Sequence, residues 1–271
     1  DFFGFDDEGL GMAVDDDGRI VLTGFAFKTS VKELYAVARY TPDGTPDASF
    51  GDDGRVAEDI ADLLGSSKSV VAMSDGSVVI GGGSTGTNPD FLMVKFASNG
   101  ELDASFGTGG IVRTDFFGHN DHINAIARSG DKIVASGSAS HTSSASSSDM
   151  AIARYNADGT LDEGFGEGGR STLDFYSQQD FVEAMAIDAN GAYVVAGGIV
   201  NSGGEDFGVA RFEGDPPPEP DFGLSLASPT LTVSKGQKGT IEVRVDRVGG
   251  YTQEVSVAVP DTKPIKVKLT P

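Results

Sequence analysis

The chain has 271 residues, of which 38 are Gly, 38% are hydrophobic and none is Cys or Trp; this supports a sizeable core of short strands and tight turns, and excludes disulfides, thiolate nucleophiles and Cys-based zinc sites. The net charge of −21 is uneven: residues 221–271 carry five acids and seven bases, and the first 220 carry 36 acids and 13 bases. Such a surface repels phosphate backbones and anionic lipid, which excludes nucleic-acid partners, and with no apolar run of ~18 residues nothing inserts into a membrane.

The opening Asp1-Phe2-Phe3-Gly4 matches Asp115-Phe116-Phe117-Gly118. It therefore reads as the tail of a repeat unit, and it predicts further residues upstream that would carry any targeting signal; no signal peptide is visible. Next come two apolar strands joined by a polar turn and closed by Gly, MAVDDDGRIVLTG at 12–24, which recurs at 70–82, 125–137 and 184–198. Turns such as Asp16-Asp17-Gly18 and Ala189-Asn190-Gly191 suit two-strand hairpins. Irregular segments follow (25–34, 83–90, 138–149, 199–206), and they differ in length and sequence while the strands repeat. A ligand is expected on these loops or in an axial channel.

The third strand reads YAVARY (35–40), FLMVKF (91–96), MAIARY (150–155) and FGVARF (207–212). It places a base at Arg39, Lys95, Arg154 and Arg211, spaced 56, 59 and 57 residues apart. An acidic turn and a fourth strand come last, at 46–59, 102–115 and 161–174. They bring Asp47, Asp103 and Asp162, then Phe50-Gly51, Phe106-Gly107 and Phe165-Gly166. These are structural repeat positions, in which each base pairs with a recurring acid, either Asp47, Asp103 and Asp162 or the strand-ending Asp59, Asp115 and Asp174.

Each period of ~57 residues thus supplies four short strands, A to D, and a unit that cannot bury both its faces alone must stack on its neighbours. The expected fold is all-β: a β-propeller of four-stranded antiparallel blades over 1–215, with copies near 1–58, 59–114, 115–173 and 174–215. The fourth copy lacks its D strand, because a Pro-rich linker at 216–220 follows it. The orphan strand at the N-terminus is expected to complete that blade; the alternative, which is preferred, is that further blades lie upstream in a larger propeller. Residues 221–271 alternate apolar and polar residues and read as a partial immunoglobulin-like β-sandwich, the chain forming part of a longer multidomain protein.

With these motifs in view, residues 1–215 resemble the delta-60 repeat, a bacterial β-propeller family of unknown function. Its motif A-R-Y-x-x-D-G-x-L-D-x-x-F-G-x-x-G stands almost whole from Ala153 to Gly169, with Pro46 in place of Leu and a looser copy at Lys95–Gly100. The resemblance implies a secreted or cell-surface bacterial protein and assigns no catalytic residue.

Other chemistry is weaker. Asp15-Asp16-Asp17-Gly18 and Asp52-Asp53-Gly54 are acidic enough to attract Ca²⁺ but have no EF-hand register, so turn chemistry is the reading preferred, with no cofactor. His119 and His122 flank Asp121 in a loop before a strand, and His141 stands apart; a metal site there lacks a third ligand. There is no G-x-S-x-G elbow or phosphate loop. The sequence therefore reads as a non-enzymatic extracellular scaffold or binding module for a protein or glycan. The rivals are a propeller-type carbohydrate-active enzyme, which requires non-repeating acids, His or Tyr converging on the axis, and a Ca²⁺-dependent adhesion module.

Overall fold

The computed structural model describes residues 1–30, 32–58, 67–84, 88–142, 147–215, 221–226 and 243–248. The chain forms two compact units, Asp1–Asp215 and Pro216–Pro271.

The first unit is built of propeller blades, each an antiparallel sheet with its strands in sequence order. Blade 1 contains β1 (Asp7–Val14), β2 (Ile20–Thr29), β3 (Lys32–Tyr40) and β4 (Arg55–Glu58). Blade 2 contains β5 (Ser69–Ala72), β6 (Val78–Gly83), β7 (Phe91–Phe96) and β8 (Ile111–Thr114). Blade 3 contains β9 (Asp121–Ser129), β10 (Lys132–Ser140), β11 (Ser148–Tyr155) and β12 (Arg170–Leu173). Blade 4 has three strands, β13 (Asp180–Ile187), β14 (Tyr193–Asn201) and β15 (Gly204–Phe212).

The hairpins form where the sequence places a carboxylate to hold the turn. Asp15 Oδ1 accepts hydrogen bonds from the backbone N–H groups of Asp17 (3.0 Å) and Arg19 (2.8 Å), and Asp188 Oδ1 does the same for Asn190 (2.8 Å) and Ala192 (3.0 Å). These bonds replace solvent at a chain reversal and fix the strand register. In the Asp15-Asp16-Asp17-Gly18 turn the Asp15 carboxylate thus holds the backbone, while Asp16 pairs with Arg128 and Asp17 with Arg19.

Three apolar cores lie between blades, each joining one face of a blade to the opposite face of the next. Val37 and Phe50 pack with Ile80 and Leu92, Met93 and Phe106 with Ile126 and Ala153, and Ile152 and Phe165 with Val195 and Ala210. All twelve side chains are buried. A blade therefore has no core of its own, which is why the repeat must be stacked.

Three expectations change. Segments 25–34 and 199–206 are largely strand, because β2 and β3, and β14 and β15, continue as long hairpins to short turns. Asp121 and His122 are not in a loop but open β9. The first residues, expected to complete blade 4, form a bend leading into β1, and among the described residues β15 pairs only with β14. The second unit contributes β16 (Asp221–Leu226) and β17 (Val243–Val248), paired antiparallel from Asp221↔Val248 to Leu226↔Val243. The rest of the immunoglobulin-like reading, with linker 216–220 and Asp59, lies outside the described residues.

Candidate functional site

The recurring bases and acids meet. Arg39 is buried, with Nε 2.8 Å from Asp47 Oδ2 and the guanidinium 4.4 Å from the centre of the Phe50 ring. It also donates to the carbonyls of Gly76 (3.2 Å) and Ser98 (2.9 Å) in the next blade. Lys95 pairs with Asp103 at 3.1 Å, and Arg154 with Asp162 at 2.7 Å and Tyr193 Oη at 3.2 Å. Of the two sets of acids considered, the bases therefore engage Asp47, Asp103 and Asp162. Burial alone would raise the Asp47 carboxyl, but bonds from Ser49 and the charge of Arg39 hold it below the usual range. Arg211, lacking the acidic turn, is part-exposed and pairs with Asp188 at 3.1 Å.

Phe50, Phe106 and Phe165 lie under these bases and inside the inter-blade cores. Gly51, Gly107 and Gly166 follow with φ of 57°, 54° and 54°, where a Cβ would come within 2.2, 2.3 and 2.1 Å of a backbone carbonyl oxygen. The first two N–H groups cross to the next blade, to Asn99 O and Asp158 O, each at 2.8 Å. Arg39, Arg154, the three phenylalanines, Gly51 and Gly107 thus hold blades together, whereas Lys95–Asp103 and Arg211–Asp188 pair within their own blades.

A second repeated device escaped the sequence reading although its spacing is visible. Asp7, Asp121 and Asp180 each accept, through Oδ2, the backbone N–H of the residue five before them, at 2.8, 2.8 and 2.7 Å, and so pin the connection into the next blade. Burial pushes the Asp121 carboxyl up to about 7, and Asp90 and Asp115 add like charge. Carboxylate oxygens of Asp90, Asp115 and Asp121 lie within 4.8 Å of one another. Three such donors fall short of the six or more oxygens that Ca²⁺ takes, and both Asp121 oxygens already accept backbone N–H groups. The histidines do not assemble: His141 pairs with Asp149 at 2.8 Å and stacks on Phe117, whereas His122 lies against Gly83.

The repeat fails at one structural position. The innermost strand of blades 1, 3 and 4 carries a β-bulge, with Leu10, Asn124 and Glu183 left out of the pairing. Opposite the bulge stand Gly24, Gly137 and Gly197, where a Cβ would meet a carbonyl oxygen at 1.8, 1.8 and 1.9 Å. Lys68 holds the corresponding place in blade 2, two residues before Val70, as Leu10 stands two before Met12. A bulge re-aims a side chain. The side chain at this position differs in every blade: Leu10, Asn124 and Glu183 at the bulges, and Lys68 at the corresponding place in blade 2.

Lys68, Asn124 and Glu183 line one cleft of about 430 Å³ with His122, Gln179 and Phe181. Lys68 Nζ is 3.4 Å from Asn124 Oδ1, and Asn124 Nδ2 donates to Val182 O at 2.7 Å. Desolvation and the nearby Lys68 charge hold the His122 imidazole below its usual range. Gly83, Ser84 and Ser138, from the segments expected to bind, complete the wall. The motif legible in the sequence begins at Met12 and Val70, two residues after the position that varies.

Residues 16–50, 74–106 and 131–165 match the family described as "Domain of unknown function (DUF5122) beta-propeller", together less than half of the chain. No curated protein matches it in sequence. Similar solved structures include a hypothetical protein from Leishmania major, 12% identical with a TM-score of 0.40, and a GH43 endo-arabinanase from Bacillus licheniformis, 14% identical with a TM-score of 0.41. Each match covers 74% of this chain; it spans 65% of the first protein, just under two thirds, and 71% of the second. With its four stacked blades and three matched repeats, the chain is a β-propeller-repeat protein similar over those stretches to a family whose function is unknown.

Proposed function

We propose that the chain is a non-catalytic binding module of an extracellular or cell-surface protein, with delta-60-type blades as the frame and the axial cleft as the site. One observation carries this reading: the bulge position offers Lys68, Asn124 and Glu183 to one cleft, while the surrounding repeat is uniform. A cation, an amide and a carboxylate beside the Phe181 ring suit a polar ligand with an apolar face, as a glycan has. Among the described residues lining the cleft, Glu183 is the one carboxylate, whereas glycoside hydrolysis uses a pair.

Affinity electrophoresis in gels containing a panel of polysaccharides, run beside an assay for newly released reducing ends, tests both halves. Retention without release is expected, with retention lost in the Lys68→Ala/Asn124→Ala/Glu183→Ala variant. Release of reducing ends, or equal retention of that variant, overturns the proposal.

A further inference from the structure

The connections between blades carry exposed aromatic rings. Each connection runs from the outermost strand of one blade to the innermost strand of the next, β8 to β9 through 115–120 and β12 to β13 through 174–179. At the same place in both lies a four-residue turn, Asp115-Phe116-Phe117-Gly118 and Asp174-Phe175-Tyr176-Ser177. The carboxylate of its first residue accepts the N–H of its fourth. Its second residue gives its N–H to Asp121 (2.8 Å) or Asp180 (2.7 Å) and packs its ring against an inter-blade core. The third residue is left outside: Phe117 is 39% exposed and Tyr176 55%.

One exposed aromatic by itself needs no explanation. Two in the same register, on turns clamped at both ends by carboxylates, call for one. The fourth residue has a φ of 77° at Gly118 and 56° at Ser177. A residue with a Cβ enters that region only under constraint, so the turn holds its outward ring even where Ser replaces Gly. The two rings differ in what covers them. Phe117 stacks on His141 with ring centres 3.9 Å apart. Among the described residues, no ring contact or hydrogen bond engages Tyr176. Gln179, three residues further on, lines the axial cleft, and Phe181 and Glu183 continue the same segment along its wall. The Cα of Tyr176 therefore lies within ~11 Å of that of a cleft residue.

We propose, on the glycan reading of the cleft, that Tyr176 is its outer subsite: a neutral polysaccharide lies along 176–183, with one sugar ring against Phe181 and another on Tyr176. The site then takes a chain several sugars long in preference to a single sugar. A phenol ring offers an apolar face to the C–H groups of a sugar and a hydroxyl to its polar edge. The exposed Asp174 beside it and the excess of acids over bases in the first 220 residues disfavour an anionic chain.

Affinity electrophoresis of the full chain in gels of amylose, xylan, galactomannan and, as the anionic comparator, polygalacturonate tests this, with mono-, di- and hexasaccharide fragments of the retained polymer as competitors. Retention in a neutral gel is expected, with the hexasaccharide the strongest competitor. Tyr176→Ala should weaken binding of the polymer and the hexasaccharide ~5-fold and leave competition by the monosaccharide unchanged, whereas Tyr176→Phe keeps the ring and most of the affinity. Phe117→Ala should have little effect. Because Tyr176 is exposed, the thermal unfolding of both Tyr176 variants should match that of the wild type. Equal competition by monosaccharide and hexasaccharide, unchanged binding by Tyr176→Ala, or retention by polygalacturonate alone overturns the outer subsite. If the Lys68→Ala/Asn124→Ala/Glu183→Ala variant still loses retention in that case, the cleft reading stands without it. Retention in none of the gels overturns both.

Discussion

Arg39 and Arg211 hold the same place in the repeat but not the same surroundings. Arg39 is buried on an aromatic ring with a carboxylate and two carbonyls of the next blade; Arg211 is part-exposed. Removing one partner of a buried, hydrogen-bonded pair leaves the other charge stranded, so Arg39→Ala should destabilise the propeller by about 3 kcal/mol in urea unfolding. Arg211→Ala should leave the urea midpoint unchanged. Asp121 sets a pH dependence. Its folded carboxyl titrates near 7, above its unfolded value, so proton uptake stabilises the fold. That contribution is complete below about pH 4 and is lost as pH rises through 7. The melting temperature should therefore fall between pH 5 and 8, with a flatter slope in Asp121→Asn, as read by calorimetry across that range. The repeated spacing of Asp7, Asp121 and Asp180 from the aromatic that each one holds was in plain view, but burial, which gives the spacing its meaning, was not.

At the scale of the strand, the unit from Phe50 to Arg55 does two jobs. Phe50 fills the core between blades 1 and 2, and Gly51 takes a positive φ to send its N–H across to Asn99. Phe50→Ala should cost about 3–5 kcal/mol, the usual loss for an aromatic removed from a core. Gly51→Ala also destabilises, because the backbone oxygen of Arg55 occupies the space a Cβ needs; both changes can be measured by urea unfolding. The period-2 pattern and turn chemistry made β1–β15 legible as strand pairs. The length of the long hairpins was less so, since 25–34 and 199–206 do not repeat and their pairing depends on a partner strand that local sequence does not specify. The bulges were hidden for a similar reason: a bulge is a mismatch between two strands, visible only once the Leu10 and Asn124 regions are laid against Gly24 and Gly137.

Across the described blades, each of the three inter-blade cores couples a blade to its neighbour; blades 1 and 4 share a core on one side only, and blade 4, with three described strands, is the weakest member. Amide hydrogen exchange should therefore be faster in β15 than in β11. Sequence alone determined the four-strand unit and its recurrence over 1–215, because both follow from local pattern and turn chemistry, and among the described residues the fourth copy has three strands. Tertiary structure decided which acid each base meets, which residues converge on the axis and which faces stay uncovered. The first is a pairing of residues eight apart that is fixed by how the third strand and the acidic turn fold back on each other, and the others relate residues some 57 positions apart or more, which only stacking brings within reach of one another.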